Sequence, residues 1–231
     1  SEWEHLKPIL TALDAGKHVL VEKPLALDSV TARQILDTAR AAGRTLMVAQ
    51  VLRFFPAYRV LQQMAQAGNT GAIRTATFRR QCAAPRWSAW LLEGARSGGA
   101  AFDLLVHDAD MCIRLFGLPA AVSATGFGCL ERGTDWFTAN LRYPETAVSI
   151  AGGWGPGPDY PFSMEYSVAG EGGVLEYNSA REEVVFFPSQ GGRSKIDLEP
   201  VDPYHSEIEY FFKCCRENSA PELCPPADSA A

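Results

Sequence analysis

Ala12-Leu13-Asp14-Ala15-Gly16-Lys17-His18-Val19-Leu20-Val21-Glu22-Lys23-Pro24 joins an amphipathic segment to a short run that is apolar throughout. Upstream, Trp3, Leu6, Ile9, Leu10 and Leu13 recur at helical spacing, which predicts a helix over 3–15 with Gly16 as its stop. The run 18–22 does not alternate. A strand of that kind is covered on both faces, as in a parallel sheet flanked by helices. Downstream, Asp28 or Ser29 caps a second helix with the stripe Ala32, Ile35, Leu36, Ala39 and Ala42, closed by Gly43. Thr45–Ala49 is a second apolar run. Helix, strand, helix, strand in this order reads as the tail of a doubly wound α/β sheet. Two strands do not close such a layer, so further sheet is expected before Ser1 or from a partner.

After residue 51 the texture changes. A helix is expected from Pro56 to about Ala67, broken by Gly68 and Gly71, then a strand over 73–81. Ser97-Gly98-Gly99 leads into a helix from about Phe102 to Phe116, stopped by Gly117 and Pro119. From there the period is two: Phe137, Ala139, Leu141 and Tyr143, then Met164, Tyr166 and Val168, with further strands at 174–177 and 183–187. Such alternation predicts an antiparallel sheet with one covered face. Residues 152–161 read as a Gly/Pro-rich loop and 205–215 as a final helix; Pro226–Ala231 resembles the start of another. The expected fold class is α/β (α+β overall), with one part at 1–51 and a second at 52–231.

The net charge of −6, with no run of Lys or Arg, argues against nucleic acid or an anionic membrane as partner. No apolar stretch is long enough to span a bilayer, and the polar start Ser1-Glu2-Trp3-Glu4-His5 is not a signal peptide. Cys82, Cys112, Cys129, Cys214, Cys215 and Cys224 form no metal or redox spacing, which reads as reduced thiols in the cytoplasm.

Two clusters carry candidate chemistry. Lys23 ends a parallel strand, the side on which open α/β sheets bind ligands; it is either a proton donor to a developing alkoxide or a surface lysine. Asp103, His107 and Asp110, continued by Arg114, share one narrow face of the expected 102–116 helix. Phe102, Val106 and Ile113 wall the stripe on one side, and Leu104, Met111 and Leu115 on the other. Three readings stand: a cleft acid/base pair in which a carboxylate raises the imidazole pKa, a structural ion pair, or a metal site. Arg53, after the second strand, is a substrate ligand or an interdomain salt bridge. Trp87, in the loop before Gly98, is a candidate to stack on a ligand.

Three stretches together resemble the Gfo/Idh/MocA oxidoreductases. Residues 12–24 resemble the family's AGKHVL-x-EKP signature, and residues 98–110 its GGG-x-x-x-D-x-x-x-H-x-x-D signature, with Ala100 in place of the third glycine. Leu52–Tyr58 resembles its R-x-x-P-x-Y crossover. The resemblance implies the C-terminal half of a Rossmann-like sheet followed by a domain with a large, mostly antiparallel open sheet. It implies NAD or NADP as cofactor and hydride exchange with a hydroxyl of a sugar, cyclitol or similar polyol. Lys23 would be the active-site lysine, His107 the general acid/base, and Asp103 its substrate-contacting partner. Glu22 and Pro24 would border the nicotinamide ribose across a cis bond, His5 would lie near the cofactor, and Arg53 would hold substrate or nicotinamide. No metal is implied. Pairing into a homodimer or tetramer through the open sheet is expected. In the resemblance the Gly-rich phosphate turn lies upstream of residue 1, so an N-terminally truncated member is expected. An NAD-dependent glycosidase-like member and a non-catalytic binding remnant are the alternatives.

Overall fold

The computed structural model describes residues 5–87, 89–155 and 157–231. The chain opens with helix α1 (Leu6–Asp14), strand β1 (Val19–Glu22), helix α2 (Ser29–Ala42) and strand β2 (Leu46–Ala49). The expected start of the first helix at Trp3 lies outside the described residues. α2 begins where Asp28 Oδ1 accepts the Val30 and Thr31 amides at 2.9 and 2.8 Å, and it ends at Gly43 in the left-handed region. β1 and β2 pair in parallel, Val19 against Leu46 through Glu22 against Ala49.

The unbroken apolar runs are explained by what covers each face. Val19, Val21, Leu46 and Val48 pack with Ile9 and Leu13 of α1 and with Ala32, Ile35 and Ala39 of α2. The opposite face, Leu20 and Met47, is covered by the end of the chain: Phe211, Cys215 and Cys224 join Phe54 against it. Phe211 belongs to the long helix that closes the sequence, at Pro203–Glu217. That helix starts earlier than its apolar pattern suggested, because Asp202 caps it and Pro203 takes its first position.

A 3-10 turn at Val51–Phe54 leads into helix α3 (Pro56–Gln66) and strand β3 (Ile73–Ala83). A short helix α4 (Gly94–Ser97) precedes a π-helical turn at Ala101–Leu105 and helix α5 (Val106–Phe116). Strands β4 (Ala121–Cys129), β5 (Thr134–Arg142), β6 (Ala147–Gly155), β7 (Ser163–Gly170), β8 (Gly173–Asn178), β9 (Glu183–Pro188) and β10 (Ser194–Ile196) follow, and the closing helix is α6. The eight strands β3–β10 form one sheet in the order β10-β9-β8-β7-β3-β6-β5-β4. Every pairing is antiparallel except the central one between β3 and β6. Phe78, Ile150, Tyr166, Leu175 and Val184 point to one face and form the larger core with Tyr58 of α3 and Met111 of α5. Their neighbours Thr77, Arg79 and Glu176 on the other face are exposed.

Four expectations are corrected. Residues 152–155 are not loop but the end of β6. Gly152 and Gly153 have φ of +132° and +134°, and a Cβ there would stand 1.8 Å from the Arg80 carbonyl oxygen and 1.9 Å from that of Asp135. Glycine is what lets the strand run on between its neighbours. β4 went unseen because it is the sheet's edge and exposed along almost its whole length, so nothing imposes alternation. The single helix over 102–116 is a π turn joined to an α-helix. Residues 228–230 form a 3-10 turn rather than the start of an α-helix.

Because Phe211 ties the closing helix to the small sheet, Phe211→Ala is expected to lower stability by about 3–5 kcal/mol, measured by urea denaturation followed by far-UV circular dichroism.

Candidate active site

Lys23 follows β1 directly, and the Lys23–Pro24 peptide bond is cis. Its Nζ donates to the Asp103 carbonyl at 2.5 Å and to Asp103 Oδ1 at 3.2 Å. The bond joins the end of the small sheet to the π turn over 80 residues of sequence. That turn is set by Gly98 and Gly99, both at positive φ, and by Asp135 Oδ2, which accepts the Ala100 amide at 2.7 Å. A π turn carries an extra residue per turn, so the helical wheel that aligned Asp103, His107 and Asp110 does not hold across residue 105.

The stripe therefore divides. Asp103 faces Lys23. Asp110 turns into the protein and receives Arg53 Nε and Nη2, both at 2.7 Å. Asp108, which the sequence pattern had not singled out, is fully buried and receives Arg80 Nε and Nη2 at 2.8 and 3.0 Å. Arg80 Nη2 also donates to Tyr58 Oη at 3.3 Å. Between these pairs sits His107, whose Nδ1 is buried without a hydrogen-bond partner among the described residues.

The expectation of a raised imidazole pKa is overturned. Burial first, then the positive charges of Arg80 and Lys23, hold His107 well below 6.5. The carboxylates that would raise it are already engaged by Lys23, Arg80 and Arg53. Neutral at physiological pH, His107 can accept a proton but is not a standing acid. Asp103, Lys23 and His107 do converge, but with Asp103 serving the lysine rather than orienting the imidazole.

Arg53 is not available to a ligand. Its side chain is 1% exposed, and beyond Asp110 its Nη1 donates to the Leu223 carbonyl at 2.9 Å and its Nη2 to Asp228 Oδ2 at 2.9 Å. Of the two readings the geometry matches a salt bridge, made within the part at 52–231, where Asp110 and Asp228 also lie. Trp87 is 80% exposed and makes no ring contact with another aromatic residue among the described residues. His5 sits at the N-cap position of α1. Glu22 is exposed and Pro24 buried, on either side of Lys23. Among the described residues no three His, Cys, Asp or Glu side chains group as a metal site would need. All six cysteines are free thiols.

One ionisable residue near this end of β1 escaped the sequence reading. Glu207 occupies a buried position on α6, one turn before Phe211, and its Oε1 has no partner among the described residues. Burial, reinforced by the charge of Glu22, pushes its carboxyl up to about 8. An acidic residue in the apolar stripe of α6 was the only signal for it.

Residues 2–50 match the oxidoreductase family with an NAD-binding Rossmann fold, and residues 58–176 match the GFO/IDH/MocA C-terminal domain. The chain belongs to the GFO/IDH/MocA oxidoreductase family. It is similar to the 1,5-anhydro-D-fructose reductase of Ensifer adhaerens, 38% identical over 94% of this chain and 68% of that protein. It is also similar to the D-glucoside 3-dehydrogenase of Escherichia coli, 32% identical over 57% of this chain. The chain spans 38% of the length of that second relative. Among solved structures, aldose-aldose oxidoreductase from Caulobacter crescentus superposes with a TM-score of 0.86, and levoglucosan dehydrogenase in complex with NADH and levoglucosan with 0.85. Both are 20% identical, covering 98% of this chain and 70% and 71% of theirs, and so show a shared fold. For a chain of this family, the Lys23, Asp103 and His107 cluster lies where the two sheets meet, and no described helix is long and apolar enough to cross a membrane.

Two outcomes follow from the buried charges. Asp108→Ala leaves the Arg80 guanidinium buried and unpaired, and is expected to cost about 3–5 kcal/mol in chemical denaturation. Glu207 keeps its proton up to about 8 in the folded state but loses it near 4.5 when unfolded. The unfolded state thus binds fewer protons between these values, and stability is lost as pH rises through the window. Glu207→Gln should melt close to the wild-type temperature at pH 4 and several degrees above it at pH 9; a variant that melts with wild type at both pH values would refute this assignment.

Proposed function

We propose that this chain takes part in hydride transfer between a nicotinamide cofactor, NAD or NADP, and a secondary hydroxyl of a sugar, cyclitol or similar ring polyol. The observation that carries the reading is Lys23 Nζ held by Asp103 at the carboxyl end of β1, beside a neutral His107 whose Nδ1 has no hydrogen-bond partner among the described residues. An unsatisfied buried polar atom is costly, and a substrate hydroxyl is the kind of group that would satisfy it. The residues present fit the nicotinamide end of a cofactor: Glu22, Lys23 and Pro24 stand at the strand end where open α/β sheets take ligands, with His5 on the preceding helix. When bound, a nicotinamide supplies the hydride acceptor or donor.

In oxidation the hydroxyl proton must leave as the carbon loses hydride. Neutral His107 is the base that accepts it. The Lys23 ammonium stabilises the alkoxide that develops, and Asp103 fixes the lysine by two hydrogen bonds and offers its second carboxylate oxygen to a neighbouring hydroxyl. In reduction the same steps run in reverse: the Lys23 ammonium polarises the carbonyl by a hydrogen bond and keeps its proton, and a proton taken up on His107 passes to the oxygen as the carbon gains hydride. The named relatives support the substrate class: a 1,5-anhydro-D-fructose reductase and a D-glucoside 3-dehydrogenase are both named for sugar compounds.

The reading extends to assembly. The face of the large sheet opposite its helices is left open, with Thr77, Arg79 and Glu176 exposed on it, and it is the surface through which two or four copies would pair.

The test is calorimetric titration with NADH and NADPH, followed by polyol oxidation monitored at the nicotinamide absorbance. Lys23→Met is expected to lower kcat by about 10²–10⁴-fold with nicotinamide binding retained. Turnover by Lys23→Met at the wild-type rate would overturn the assignment.

A further inference from the structure

Away from Lys23, the faces of α3 and α6 leave a groove of about 510 Å³ between them. Residues three and four apart bring Arg59, Gln63 and Gln66 of α3 to one wall, and Ser206, Lys213 and Arg216 of α6 to the other. Arg114 of α5 stands at the groove as well, two turns or about 10 Å beyond His107 along its helix. The chain as a whole carries a net charge of −6, yet five basic side chains and a single carboxylate, Glu209, line this groove.

Two of the five are neutralised. Arg53, at the floor, is held by Asp110 and Asp228, and Arg59 pairs with Glu199 at 3.2 Å. Arg114, Lys213 and Arg216 have no carboxylate within ion-pair distance among the described residues. Arg114 makes only a long Nη1 bond of 3.4 Å to the Glu222 carbonyl, and its Nε is buried without a partner. Glu209 is exposed and its nearest cationic neighbour is His205, at 4.0 Å. Tyr210 Oη accepts the Leu223 amide at 3.1 Å and is hydrogen-bonded to Cys214 as well, so it is engaged within the protein. Arg114 feels the charge of Asp110 and Glu209 lies in the same groove, but none of the three cations makes an ion pair among the described residues, and an anion between them reduces their mutual repulsion.

The geometry points to a binding site for a small diphosphate-bearing anion in this groove. Three unpaired cations match the roughly three negative charges of a diphosphate at neutral pH better than the −1.5 to −2 of a single phosphate ester. Two arginines and a lysine also supply the forked and point-like donors that phosphate oxygens take.

The test uses inorganic pyrophosphate, titrated into the full chain at constant ionic strength and followed by ³¹P NMR and calorimetry. Saturable one-site binding is expected. The Lys213→Gln/Arg216→Gln double variant, whose two side chains are exposed and leave the core untouched, should weaken it at least about tenfold, as should Arg114→Gln. Arg193→Gln, on an exposed arginine of the large sheet, should leave it unchanged. Absence of saturation at millimolar pyrophosphate, equal binding by the double variant, or displacement by NADH would each overturn the proposal. The last of these would place the anion with the cofactor. A failed polyol assay bears on Lys23 and leaves this result standing.

Discussion

Two buried arginines hold the helix that carries His107. Arg80, on the central strand of the large sheet, grips Asp108 with two nitrogens, and Arg53, in the turn leaving the small sheet, grips Asp110 the same way. The two aspartates are separated by one residue and face different parts of the molecule, so α5 is locked to both sheets at once. Such pairs add little net stability, because desolvation offsets most of their attraction. What they contribute is orientation: neither aspartate can be satisfied if α5 rotates. Lys23 adds a third tie from the small sheet to the π turn just ahead. His107 is placed by these neighbours, and burial first, then the charges of Arg80 and Lys23, keep it neutral.

The same arrangement explains why the closing segment matters. Arg53 takes contacts from the Leu223 carbonyl and from Asp228, while Phe211 and Cys224 cover the face of β1 and β2 that α1 and α2 do not reach. The end of the chain thus completes both the small core and the charge balance beneath the site. Glu207, buried one turn before Phe211 and sensitive to Glu22, shows that this packing carries an electrostatic cost close to the strand end where Lys23 begins.

Much of this was legible in the sequence, for physical reasons. The two apolar runs at 18–22 and 45–49 could only be strands covered on both sides, and Asp28 and Gly43 marked the helix between them by their capping chemistry. The alternation around 137–143 and 164–168 followed from one covered face. β4 was hidden because an exposed edge strand owes no debt to a core. Gly152 and Gly153 read as loop because glycine usually marks a turn, whereas here it admits a neighbouring backbone. The site was legible as a set of residues but not as a set of pairings. A regular helix would align Asp103, His107 and Asp110, and nothing in the residue types announces a π turn at 101–105. Asp108 gave no signal, and Glu207 only its place in the apolar stripe of α6, because a buried carboxylate looks like a surface one until its partner, or its lack of one, is seen.

The single parallel pairing in the large sheet has a kinetic meaning. Antiparallel neighbours such as β7 and β8 meet across a tight turn, but β3 and β6 are joined by contacts such as Thr77 to Ser149, 72 residues apart. Everything that defines the reactive cluster apart from Lys23, from the π turn through α5, lies inside that excursion. Closing so long a loop costs entropy before any contact returns it, and folding slows as contacts become more distant along the chain. β3 pairs with β7 at still longer range, Phe78 against Tyr166, so the ordering of α5 is coupled to contacts that the chain makes only by closing long loops on both sides of β3.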